Sequence, residues 1–113
     1  MGIVQDFGIP ASHLVKLRTR QVDVIYQTEG TIDQIQQWIT HQVPVILCVE
    51  TSQLAYWRGH RTQHAVLAIG IDERQLYLLD PGQSSAVITV QLDEFWLAWD
   101  EMALAYGVIY YKG

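Results

Sequence analysis

His64 and Asp80 are the two side chains whose types and spacing propose chemistry. His64 opens an apolar run, His64 to Ile69, and Asp80 follows a second one, Gln75 to Leu79, just before Pro81. A polar turn, Gly70 to Arg74, separates the runs. If the runs form a hairpin, their outer ends meet. A three-residue loop centred on Asp72 sets His64 directly opposite Asp80, and a loop centred one residue later sets Asp80 one diagonal step away. Both positions are even, so either register keeps the two side chains on one face. Opposed Cβ atoms lie ~4.5–5.5 Å apart and diagonal ones ~7–8 Å, within reach of an imidazole and a carboxylate. An imidazole backed by a carboxylate is the base and orienter that a nucleophile needs. Each residue also has an ordinary reading: a partly buried His bonded to a neighbour, and an Asp that shapes a turn before Pro.

A nucleophile is harder to find. Cys48 is the one cysteine, set in Val45-Ile46-Leu47-Cys48-Val49. Apolar surroundings raise a thiol pKa and block access, so Cys48 reads as a buried structural residue. Its strand is expected beside that of His64, which keeps it as a residual alternative. Ser52, Ser84 and Ser85 lack any activating spacing. His60 and His64 stand four apart, but Arg58 and Arg61 crowd them and the segment is not clearly helical, so a zinc site is not expected. No cofactor is implied. Tyr56 and Trp57 either line a groove beside His64, as substrate-binding residues, or cover the core.

The positioning elements follow from period and punctuation. Ser12 caps a helix over His13 to Arg20. Val22 to Tyr26 is a brief strand. Thr31 and Gln34 have capping-box spacing, and Ile32, Ile35, Trp38 and Ile39 share a face at helical period. Pro44 ends that helix near His41 or Gln42. Val45 to Val49 is a buried strand. Beyond the hairpin, Ala86 to Val90 is a strand. A last helix begins at Gln91 or Asp93, with Leu92, Phe95, Trp96, Trp99 and Met102 as its apolar face, and Val108 to Tyr111 closes as a strand after a change at Gly107. The expected class is α+β, a mostly antiparallel sheet with helices on one side.

Composition narrows the function. The chain has 113 residues, which suits one domain; half are hydrophobic and 17% are charged. The net charge is −5 with no basic stripe, so nucleic acid is not an expected partner. One cysteine leaves no intrachain disulfide, in keeping with a reducing, cytoplasmic setting. Neither a signal peptide nor a run of ~18 apolar residues is visible, so no membrane association is expected.

The segments Leu54-Ala55-Tyr56-Trp57-Arg58-Gly59, His64-Ala65-Val66, Ala68-Ile69-Gly70, Tyr77-Leu78-Leu79-Asp80-Pro81 and Phe95-Trp96-Leu97-Ala98-Trp99 stand in an order and spacing that carries a resemblance. From about Gly30 to Tyr111 the chain resembles the C-terminal part of papain-like cysteine peptidases of the bacteriocin-processing, double-glycine leader type, and especially their stand-alone peptidase-like relatives. The resemblance implies half of a papain-like fold. It matches His64 to the general base and Asp80 to its orienter. The family's nucleophile, a Cys followed by Gly at a helix start, has no match, since Met1 to Gly30 contains no Cys. Gln5 and Gln63 do not fill the family's oxyanion position. The expectation is therefore one peptidase-like domain, residues 1–113, without the Cys-bearing helix and inactive alone. Its partners would be a peptide, a protein, or a second copy docked on an apolar sheet face. The other expectation is a non-catalytic interaction module, or a fragment of an active peptidase.

Overall fold

The computed structural model describes residues 22–80 and 82–111. The helix expected over His13 to Arg20 lies outside them. Among the described residues, six strands and two α-helices follow in this order: β1 Val22–Gln27, α1 Ile32–Thr40, β2 Val45–Glu50, β3 Gln63–Ile71, β4 Gln75–Asp80, β5 Ser84–Gln91, α2 Leu92–Asp100 and β6 Tyr106–Tyr111. The strands form one sheet in the order β1-β6-β2-β3-β4-β5, and every described pairing is antiparallel. This is the α+β class that the sequence patterning leads one to expect.

Local chemistry starts and stops α1. The Thr31 amide donates to Gln34 Oε1 at 3.0 Å and the Gln34 amide donates to Thr31 Oγ1 at 3.1 Å, closing a reciprocal capping box. His41 caps the other end, and Gln42 turns out of the helix with φ +64° just before Pro44. Helix α2 differs from expectation on two residues: it ends at Asp100, so Met102 falls in the turn beyond it, and Trp96 does not face inward. Its buried residues are Phe95, Ala98 and Trp99, whereas Trp96 is 41% exposed. Residues three and four apart share a helix face, so Phe95, Ala98 and Trp99 form the inward stripe and Trp96 turns off it.

Both helices pack on one face of the sheet. Ile35 of α1 and Phe95, Ala98 and Trp99 of α2 join Val45, Leu47 and Val49 of β2, Val66 and Ala68 of β3, and Leu76 and Leu78 of β4 in the main core. Trp99 is fully buried, and its indole nitrogen donates to the Ala105 carbonyl at 2.9 Å. The opposite face carries a smaller cluster of Val24, Ile46 and Ala65. Strand β2 is buried along its whole length, as its unbroken apolar run requires. Strand β6 begins at Tyr106, earlier than Val108, and Gly107 lies inside it, paired with both Tyr26 and Ile46.

The hairpin of β3 and β4 contains a bulge. Near the turn, Ile71 faces Leu76 and Gly70 faces Tyr77; further on, Ala68 faces Leu78 and Leu67 faces Leu79. Ile69 is thus one extra residue on β3. Close to the turn, even positions of β3 oppose odd positions of β4; past the bulge, even opposes even. The bulge therefore puts the side chains of His64 and Asp80 on the same face. Direct opposition does not occur. Continuing the register sets Val66 against Asp80 and leaves His64 one diagonal step away, because the strands run closer to the turn than expected and only Asp72 to Arg74 remain between them.

Candidate active site: a histidine on a buried carboxylate

His64 Nε2 lies 2.8 Å from Asp80 Oδ1. Asp80 is fully buried at the end of β4, on the helix-covered face. Three further donors reach it. The Gly82 amide donates to Oδ1 at 3.0 Å, the Tyr56 hydroxyl to Oδ2 at 2.7 Å, and the Trp57 indole nitrogen to Oδ2 at 3.0 Å. A carboxylate offers about four lone-pair sites, so these partners saturate it. Burial by itself would raise the Asp80 pKa. The hydrogen bonds from His64, Tyr56 and Trp57, with the charge of His64, more than offset it and hold the carboxyl below its usual range. Burial first, and then the bond to Asp80, push the Tyr56 phenol well above its usual pKa, so it remains a donor.

An ionised carboxylate only accepts, so His64 Nε2 carries the hydrogen of that bond. In the neutral ring the lone pair then sits on Nδ1, the atom able to take a proton from a nucleophile. Trp57 and Gly82 both pack against the ring. Trp57 stands edge-on to it, with centroids 5.0 Å apart and planes at 65°. Gly82 backs against it: a Cβ there would lie 3.3 Å from both Cε1 and Nε2 of His64.

Tyr56 and Trp57 sit on a single 3-10 turn, Ala55–Trp57, inside the loop between β2 and β3. That loop is tied down at several points. The Thr51 hydroxyl donates to the His60 carbonyl at 2.6 Å and accepts from the Thr62 amide at 2.9 Å, pinching the loop closed. Leu54 is fully buried in the main core. Glu94 of α2 accepts from the Ala55 amide at 2.7 Å, at the start of the turn. Glu50 accepts from the Ser52 amide and pairs with Arg61 at 2.9 Å. The hydrogen bond from the Ser52 hydroxyl is the largest influence holding the Glu50 carboxyl below its usual range.

Cys48 belongs to the other face. Val49 is the residue opposite His64, and Cys48 pairs with Ala65 one step along. Adjacent residues of a strand point to opposite faces, so the thiol and the imidazole are on different sides of the sheet. Burial pushes the Cys48 thiol up to about 11, so it is protonated at neutral pH. His60 is exposed on the loop and His64 lies on β3. Among the described residues no three His, Cys, Asp or Glu side chains converge as metal ligands.

The sequence reading paired His64 with Asp80 and set Tyr56 and Trp57 nearby. It did not foresee that the polar tips of both aromatic residues turn inward to the carboxylate. It also missed Gly82, Thr51 and Glu94. Gly82 had a signal, its place two residues after Asp80, where an Asx-type bond to its amide is common. Glu94 had none, since it lies 39 positions from Ala55.

Comparison with known proteins bears on the family and the fold. The Peptidase_C39 like family matches residues 8–105. The chain belongs to that family. Among solved structures, a "putative C39-like peptidase from Bacillus anthracis" shares the fold with a TM-score of 0.61 at 21% identity, over 75% of this chain and 50% of that one. The chain thus spans about half the length of that structure. No curated protein matches it. The chain is a peptidase-like domain of the C39-like family, and no helix among its described residues is long and apolar enough to cross a membrane.

Proposed function

We propose that this domain keeps the base half of a Cys–His–Asp site, binds peptides beside it, and does not cleave them with its own thiol. His64 is the base, Asp80 its orienter, and Tyr56 and Trp57 are positioning residues that hold the carboxylate. The observation that carries this reading is the 2.8 Å contact between His64 and a fully buried Asp80, with Cys48 on the far face. A saturated carboxylate behind an imidazole is the arrangement that fixes a tautomer for proton transfer. Catalysis through this ring needs a nucleophile brought to Nδ1, and Cys48 does not meet that requirement. The site is then completed by another polypeptide segment, or serves only to bind.

The test combines hydrolysis and binding. A pool of fluorogenic peptides is incubated with the intact protein, and peptide binding is followed through the ring protons of His64. No thiol-dependent hydrolysis is expected, and bound peptides shift the His64 resonances. Hydrolysis that disappears in Cys48→Ala would overturn the reading. A purely structural role for the pair is the competing reading, favoured by the four donors spent on Asp80. In that case His64→Ala lowers stability, and the peptides leave the His64 resonances unmoved.

A further inference from the structure

Two of the donors on Asp80 stand on the 3-10 turn Ala55–Trp57, and that turn is itself held from a distant element. Leu54, which precedes it, is apolar and gives it no side-chain cap. The first amide of a helical turn has no partner within the turn, so the Ala55 N–H needs an acceptor from elsewhere. It donates to Glu94 Oε2 at 2.7 Å, 39 positions along the chain. Glu94 is the third residue of α2, the position from which a capping box sends a carboxylate back to its own helix. Here that carboxylate caps the neighbouring turn.

Both ends of this link are anchored. Phe95, next to Glu94, is fully buried in the main core, and the Leu92 amide donates to the Arg74 carbonyl at 2.8 Å. In the turn, the Trp57 amide donates to the Leu54 carbonyl and the Arg58 amide to the Ala55 carbonyl, each at 3.0 Å. These bonds tie Ala55, Tyr56 and Trp57 into one unit. Two side chains of that unit end on a single atom, Asp80 Oδ2, at 2.7 and 3.0 Å. A carboxylate with two donors fixed on one oxygen resists turning about its Cβ–Cγ bond. Its other oxygen, Oδ1, then stays in line with His64 Nε2 at 2.8 Å.

We infer that Glu94 is a positioning residue of the His64–Asp80 site, acting through the Ala55–Trp57 turn. This role deepens the function proposed above and rests on its reading of His64 as the base. Glu94 serves as an acceptor of one hydrogen bond, and its charge is incidental. Without that bond the turn is held by Leu54 alone at its start, the donors on Oδ2 slacken, and the bond from His64 Nε2 loses its alignment.

The test compares Glu94→Asp and Glu94→Gln in the full chain. Asp keeps the charge and is one methylene too short to reach Ala55. Gln keeps the reach and an acceptor oxygen and gives up the charge. NMR at a single pH follows solvent exchange of three ring N–H protons: His64 Nε2–H, the Trp57 indole and the Trp99 indole. The last donates to the Ala105 carbonyl in the core and reports general loosening. In Glu94→Asp the His64 and Trp57 protons are expected to exchange about tenfold faster, with Trp99 unchanged. In Glu94→Gln all three should stay near their wild-type rates. An unmoved His64 proton in Glu94→Asp overturns the inference, even where urea unfolding shows lost stability, because Glu94 is then a structural prop. Faster exchange of all three protons by the same factor overturns it too. So does a response in Glu94→Gln and none in Glu94→Asp, which would make the charge the active property. No peptide enters these measurements, so a failure of peptide binding leaves their outcome intact, and an unmoved His64 proton removes only the role of Glu94.

Discussion

The two faces of the central sheet put the same strands to different use. On the helix-covered face, β3 and β4 end in a polar cluster: His64, Asp80 and the donors of the Tyr56–Trp57 turn. On the other face, β2 carries Cys48, buried and raised to about 11. Cys48 and Val49 are consecutive, and Val49 is the residue opposite His64. A thiol and an imidazole can thus be neighbours in a sheet and still be kept from reacting by alternation alone. What decides the chemistry is which face each residue takes, and on β3 that depends on one extra residue.

The most severe way to break the contrast is to delete Ile69. Without the bulge, either His64 and the strand beside it exchange faces or the turn must re-form. Ala65 and Val66 would exchange faces together with His64, so we expect a loss of ~4 kcal/mol or more. Urea unfolding and the spread of amide resonances measure it. A native-like spectrum with His64 still on Asp80 would show that the bulge does not set the face.

A smaller effect is expected from Asp80→Asn. The amide replaces an acceptor with a donor facing donors, at a cost of ~2–4 kcal/mol. The change also has a pH signature. The folded-state pKa of Asp80 is lowered, so its contribution to stability is present above the unfolded carboxylate value of about 4. It fades as pH falls toward and through the folded value. Denaturation midpoints followed from pH 6 downward should drop less steeply in Asp80→Asn than in the wild type. Equal slopes would mean that the carboxylate is not held ionised by its donors.

The mildest prediction sharpens the comparison. In the folded protein at pH 8, iodoacetamide should label Cys48 at least ~10-fold more slowly than in denaturant, because little of the buried thiol is ionised. His64→Ala should leave the native labelling rate unchanged. A rate that depends on His64 would place thiol and ring in contact and contradict the separation of the faces.

Much of this fold is written locally. The Thr31–Gln34 capping box, the Pro44 stop and the apolar run from Val45 to Val49 appear as the sequence requires. The His64–Asp80 pair was also legible, since both candidate registers kept even positions together. The bulge that makes this true was less plain. Gly70 read as the start of the turn, although an isolated Gly within an apolar strand pattern also signals a bulge. It sits within β3, where a Cβ would lie 3.2 Å from the Tyr77 ring. Trp96 was misplaced because hydrophobicity does not distinguish the stripe from the residue beside it. The support from Glu94 to the Ala55 amide joins distant segments and leaves no local trace.

Saturation of Asp80 also limits what can approach it. With every lone pair occupied, the carboxylate has nothing to offer an incoming molecule without first evicting a resident. It behaves as a fixed wall, and the imidazole is held against it by Trp57 and Gly82. An incoming molecule would meet the partly exposed five-membered ring before it met the carboxylate sealed behind it.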